Sequence, residues 1–413
     1  MYFYKHNNKY LFSLDDKYDY EKVSEVKALD NPQELYFLTE LDKNTSKKTF
    51  AISHSSDLFI KKETIDLIKL TKETNKINIS ETILKLINER KIKAINTSYD
   101  DFENEFYFKE SKKSRVNILA LGDVGSTLLI GLKLLGGKSI QSIGIYDRSE
   151  EKIKRWEYEM NQTSLPFDFN ELPLVHGINK NELFDCDMFV FCASKGVPPV
   201  GSTVKDVRMV QFEQNSILIK EYANMAAENN FKGVFAVVSD PVDLLCNVVL
   251  NESKGKIAPE QIKGYGLGVM NARAAYYAKK DERYKSFLTE GRAFGPHGND
   301  LVIANSIENY DDEISKELTF LAVTANLEVR KTGFKPFVAP ALSSGAISII
   351  YTLEGKWHYS ANYLGGVYMG AKNRNTSAGL EIEKIQMPEE LFERMKYTYG
   401  VLQGMHELCH PQR

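Results

Sequence analysis

Between Val116 and Leu250 the chain repeats one pattern: a short apolar run, a turn, then a longer segment whose apolar positions recur at helical spacing. VNILALGDVGSTLLIGLKLLGGKSIQSIGIYD, Val116–Asp147, is a strand, a glycine-bearing turn, a helix stopped by Gly-Gly, and a second strand ending in an acid. A helix is expected over Glu150–Asn161, a buried strand over Asp187–Ala193, and a long helix over Val207–Asn229. Gly233–Val238 reads as the next buried strand, after which Asp240-Pro241 turns the chain into a helix through Leu250. Strands buried on both faces and alternating with helices predict an α/β fold with a doubly wound, mostly parallel sheet. From about Gly264 the rhythm changes to helices at Ala272–Lys280, Ile314–Val329 and Ser343–Leu353, short strands around Arg292–Ile307 and Trp357–Met369, and a closing helix Glu389–Leu408. That is a second, α+β lobe.

The first hundred residues are patterned differently. Tyr2–Tyr4 and Lys9–Phe12 are expected to pair across His6-Asn7-Asn8, since asparagine tolerates the positive φ of hairpin turns. Asn31-Pro32-Gln33-Glu34 reads as a helix start. Lys48–Ser53 and Ile92–Ile95 read as strands, and Glu63–Glu73 and Glu81–Arg90 as short helices, the latter capped by Ser80. The acidic, then aromatic, then basic stretch Tyr99–Ser114 reads as a linker. These features predict a small α+β module with winged-helix character over residues 1–112. Residues 113–262 are then the cofactor domain and 263–413 the substrate lobe.

Composition narrows the function. With 413 residues, 43% hydrophobic and 26% charged, the chain can support two or three cored domains. A net charge of −3 gives no electrostatic case for nucleic acid or an anionic membrane. Four cysteines without C-x-x-C spacing, no hydrophobic signal core in MYFYKHNNKY, and no uninterrupted apolar span lead to the expectation of a cytoplasmic protein.

The turn after Val116 carries the first chemistry. Gly122 and Gly125 stand three apart, with Ala120 where a G-x-G-x-x-G fingerprint has its first glycine. Gly122 lets backbone approach a pyrophosphate, and Gly125 lets helix pack on strand. The helix start at Asp123 and Val124 offers free N–H groups and a partial positive charge to phosphate. Asp147 lies where a carboxylate accepts hydrogen bonds from an adenosine ribose and repels a 2′-phosphate, a preference that Arg148 softens.

With these landmarks in place, ALGDVGS, IYDRSEEK, DMFVFCAS, RMVQFEQN, VSDPVDLL, NARAAYY, GPHGND and PALSSGA follow one another as in the L-lactate/malate dehydrogenase family, which residues 115–410 resemble. The resemblance implies a Rossmann-type domain binding NAD, with Ala193, Ser194 and Ser239 at the strand ends facing the cofactor. It implies a homo-oligomer, and a proton donor at His297 in Gly295-Pro296-His297-Gly298. It also implies a substrate-binding guanidinium at Arg273 and a mobile-loop arginine at Arg208. Two positions depart from the family. The aspartate that orients the histidine is Met270, which accepts only a weak hydrogen bond. The asparagine of an Asn-Pro-Val motif is Asp240. The expectation is therefore that the carboxylate has moved and Asp240 partners His297. A carboxylate there disfavours an ordinary 2-oxo acid and leaves open an amine, an imine or a carbonyl within a larger molecule. The loop before Arg208 is longer than in relatives, and its Val197-Pro198-Pro199-Val200 is apolar where they choose between lactate and malate. The Phe337–Ala341 region likewise replaces a small hydroxyl. Outside this family, the first module faintly resembles leader-peptide-binding domains, so a peptide-tailoring enzyme or adaptor is one alternative reading. An NAD-binding homologue with impaired catalysis is another.

Overall fold

The computed structural model describes residues 1–30, 34–70, 79–110, 112–195 and 207–409, with side chains from 210 onward in the helix that begins at Val207 and up to Glu407 in the last helix. Two compact units result, 1–111 with 364–366 and 373–386, and 112–363 with 367–372 and 387–413.

In the second unit, strands lie in the order Leu174–Gly177, Ile140–Tyr146, Ser114–Leu119, Met188–Phe191, Val234–Val237, Ile262–Gly264, and neighbours are parallel. His358–Leu364 follows antiparallel at Gly264. This is the doubly wound order of a dinucleotide-binding fold. The period-2 alternation of the strands explains why both faces are apolar. Phe189, Phe191, Phe235 and Val237 pack under helices Val207–Glu228 and Val242–Glu252. Met188, Val190, Val234 and Ala236 share the other face with Leu128, Leu129 and Leu132 of helix Asp123–Leu135. Strand order reverses between Ser114–Leu119 and Met188–Phe191, which opens a crevice at their carboxyl ends. The expected helix at Ser343–Leu353 is a widened turn over Pro340–Ala346 followed by Ile347–Leu353. Among the described residues no helix is long and apolar enough to cross a membrane.

The first unit departs from several expectations. Its sheet runs Glu21–Val23, Tyr2–His6, Lys9–Ser13, Leu35–Thr39, Ile92–Asn96, Thr49–Ala51, with parallel pairs at its centre. The Asn7–Asn8 turn adopts positive φ at both residues, 45° and 62°, as the hairpin requires. Among the described residues the unit is sheet-based and its longest helix is Glu81–Asn88, so they do not display the expected winged-helix character. Residues 31–33 lie outside the described residues, and the segment after them is the strand Leu35–Thr39 rather than a helix, because Leu35, Tyr36, Phe37 and Leu38 are all buried between both faces. The described part of the expected helix Glu63–Glu73, residues 63–70, forms one tight turn, Ile65–Ile68, and residues 71–73 lie outside the described residues. Glu63 is buried against Lys47, accepting from its backbone N–H at 3.1 Å and from its ammonium, so its side chain is not available to an exposed helix face. Ser80 sits at the cap position of Glu81–Asn88, but its hydroxyl makes no hydrogen bond. The expected linker is no linker: Phe106 is buried beside Tyr4, Leu11, Tyr36 and Ile95, and Glu105 pairs with Lys48 and Lys93. Glu381, 3% exposed, holds Arg90 at 2.8 Å and Arg374 at 2.7 Å, fastening the late hairpin 373–382 into this unit.

Candidate active site

At the crevice, strand Ser114–Leu119 ends in the glycine turn. Ala120 has φ +75°, the left-handed conformation that the missing fingerprint glycine would adopt without strain. A Cβ on Gly125 would lie 2.0 Å from the Ala120 carbonyl oxygen, so close packing of helix on strand excludes any other residue there. A Cβ on Gly122 would meet nothing within 4 Å, which leaves an open cradle over a helix start without a side-chain cap. Asp123 in the first helical turn is half exposed, and Lys335 lies 3.2 Å from it, offsetting a charge that would oppose a phosphate. These features fit a dinucleotide pyrophosphate. Asp147 is held from below: Leu121 N–H at 2.9 Å, Ser149 N–H at 3.2 Å and Lys152 Nζ at 3.1 Å. Burial pushes its acidity one way, but these donors and the Lys152 charge outweigh it and keep the carboxyl below its usual range. Arg148 flanks it on the chain.

Strand Met188–Phe191 delivers Ala193 and Ser194 to the same end, and Val234–Val237 delivers Ser239. Ser239 Oγ donates to the Ala193 carbonyl at 2.7 Å. Asn215, fully buried on helix Val207–Glu228, ties these pieces together. Its amide donates to the Asp240 carbonyl at 2.7 Å and to Ser194 Oγ at 3.3 Å, and its oxygen accepts from Lys195 N–H at 2.7 Å. Asn215 is not among the residues the sequence motifs single out, although an asparagine on the helix face of Phe212 and Ile219 marks a polar group held in an apolar setting. Arg208 and the Val197–Val200 segment fall outside the residues whose side chains are described.

Asp240 and His297 are brought together, Oδ1 to Nδ1, at 2.8 Å. The histidine side chain is largely buried and the aspartate half exposed. The turn that presents His297 rests on Gly295, whose φ is +89° and whose N–H donates to the Gly370 carbonyl at 3.0 Å. Thr398 Oγ1 donates to the Asp300 carbonyl, and Asp243 receives the His297 N–H at 3.4 Å. Gly266 leaves room behind the ring, since a Cβ there would come within 2.7 Å of His297 Cβ.

Met270 is buried on helix Leu267–Ala278, one turn before Arg273. Arg273 donates to Met270 Sδ and to the Ala322 carbonyl, both at 3.4 Å. Burial lowers the guanidinium's affinity for its proton, and the negative charge of Asp240 partly restores it. Among the described residues no carboxylate pairs with Arg273 within ion-pair distance. The arrangement holds an imidazole with a fixed carboxylate, and a buried cation beside them. The described residues contain no cluster of side chains able to hold a metal ion.

Residues 114–264 match the lactate/malate dehydrogenase NAD-binding domain, so this part of the chain is an NAD-binding domain of that type. A malate dehydrogenase of Sulfurisphaera tokodaii is 24% identical over 190 residues, covering 46% of this chain and 58% of the relative. An L-lactate dehydrogenase of Treponema denticola is 27% identical over 195 residues, covering 46% and 56%. The chain thus spans just over half the length of the curated relatives it matches. Solved structures agree on the fold over a longer stretch. A lactate dehydrogenase from a Medee basin deep-sea metagenome superposes with a TM-score of 0.58 at 18% identity, covering 71% of this chain and 98% of that one. The malate dehydrogenase of Aeropyrum pernix does so with 0.59 at 16%, covering 71% and 97%.

Proposed function

We propose that the protein is an NAD(H)-dependent oxidoreductase in which His297 exchanges the proton, Asp240 orients its imidazole, and Arg273 with Arg208 binds the anionic end of a small substrate. The observation that carries this reading is the 2.8 Å contact between Asp240 and His297. It supplies from the Asp-Pro turn the carboxylate that relatives supply from the position of Met270. Hydride transfer to a carbon–heteroatom double bond leaves charge on the heteroatom, and an imidazole there delivers the compensating proton. Bound NADH would supply that hydride. The chain's own part is to seat the pyrophosphate at Gly122–Gly125, the ribose at Asp147 and the substrate anion at Arg273. Met270 keeps Arg273 unpaired by the carboxylate that relatives place there, which leaves its charge for the substrate.

The reading is tested by NADH oxidation, followed at 340 nm, with 2-oxo and 2-imino acids. Turnover that falls at least 10²-fold in His297→Gln while NADH still binds supports it. Unaffected turnover in His297→Gln refutes it. Homo-oligomerisation belongs to the same proposal and is read by light scattering.

A further inference from the structure

We infer that the cofactor seat also accepts a dinucleotide phosphorylated on the adenosine 2′-oxygen, so that NADP(H) binds there beside NAD(H), with Arg148 and Lys152 receiving the extra phosphate. The inference rests on the dinucleotide seat described above and not on the chemistry at His297. A carboxylate at a strand end selects the unphosphorylated ribose in two ways: its oxygens accept from the ribose hydroxyls, and its charge repels a phosphate. Both are curtailed at Asp147. Its Oδ2 already accepts two hydrogen bonds, from the Leu121 N–H at 2.9 Å and from Lys152 Nζ at 3.1 Å. Its Oδ1 accepts from the Ser149 N–H at 3.2 Å. Of about four lone-pair sites on a carboxylate, roughly one is left, enough for a single ribose hydroxyl. The side chain itself is only 12% exposed.

The charges point the same way. The ammonium of Lys152 offsets the negative charge of Asp147, so the pair presents no net charge to a phosphate. Arg148 follows directly on the chain and is exposed. Among the described residues no hydrogen bond or ion pair engages its guanidinium. A guanidinium fork matches two oxygens of a phosphate and keeps its charge at any working pH. The nearest acids, Glu150 and Glu151, stand in the first turn of helix Glu150–Asn161, and Glu151 is held on Ser149 Oγ at 3.0 Å. The strand end therefore carries a neutralised acid, an ammonium and an uncommitted guanidinium, a combination that attracts a 2′-phosphate where a lone carboxylate would reject it.

The test is a fluorescence titration of the full chain with NADH and, separately, with NADPH at the same ionic strength. NADPH is expected to bind no more than about tenfold weaker than NADH. Arg148→Ser should raise the ratio of the NADPH to the NADH dissociation constant about tenfold or more, and Arg148→Lys, which keeps the charge and loses the fork, by less. Lys152→Met uncovers the Asp147 charge and should raise the same ratio about threefold or more. NADPH binding weaker than that tenfold limit overturns the inference and leaves the NAD seat standing. A ratio that stays unmoved in Arg148→Ser or in Lys152→Met also overturns it. Failure of both NADH and NADPH to bind overturns the seat and the inference together.

Discussion

Replacing Ala120 with glycine is expected to stabilise the second unit. Ala120 sits at φ +75° because the turn must let Gly125 approach its carbonyl, and the strand Ser114–Leu119 and helix Asp123–Leu135 fix both ends. An L-residue in this conformation costs about 1–2 kcal/mol, which glycine removes. Against that, glycine adds about 0.5–1 kcal/mol of unfolded-chain entropy. The strain relief wins by roughly 0.5–1 kcal/mol. For a domain of this size that is a rise of about 1–4 °C in melting temperature. Differential scanning calorimetry with and without NAD+ reads it. A melting temperature lowered by Ala120→Gly would mean that the left-handed turn is not strained, and the account of the missing fingerprint glycine would fail.

Gly125→Ala acts oppositely on the same turn: with 2.0 Å to the Ala120 oxygen, helix and strand must part, and loss of measurable NADH binding in a fluorescence titration is expected. Glu381→Ala strands Arg90 and Arg374 and should cost about 3 kcal/mol in urea unfolding, the low end for a broken buried pair because both guanidiniums keep some contact with water. A fragment of residues 1–111 lacks that glutamate and its hairpin, and should show no cooperative unfolding transition by circular dichroism. His358, buried between Thr352, Ser360 and the Lys356 carbonyl, is held down to about 3 by burial and by Lys263. Since the unfolded imidazole takes a proton near 6.5, stability is full above that pH and falls as pH drops toward 3, by about 2 kcal/mol at pH 5. In His358→Gln the unfolding free energy should lose that slope between pH 6.5 and 5.

The parallel sheet was legible because VNILAL and DMFVFCA are buried on both faces and leave an unbroken apolar run. The glycine turn and His297 were legible as local motifs. What escaped was fixed by distant partners. Glu63 is drawn inside by Lys47, sixteen residues back, and Phe106 closes a sheet face formed by residues 4, 11, 36 and 95. Nothing near Gly379–Ile382 in the sequence signals that Glu381 meets Arg90. The bracing of Asp240 by Asn215 likewise depends on two loops meeting.

The central claim is that Asp240 has taken over the orientation of His297, and nitrogen-15 NMR of histidine-labelled protein tests it without a substrate. Seven histidines make the spectrum assignable, with His297→Gln identifying the signal. With Asp240 accepting at 2.8 Å, the neutral ring should carry its proton on Nδ1, and Asp240→Asn should shift the population toward the Nε2–H form. A ring protonated on Nε2 in the native protein, or a tautomer unchanged by Asp240→Asn, would contradict the account.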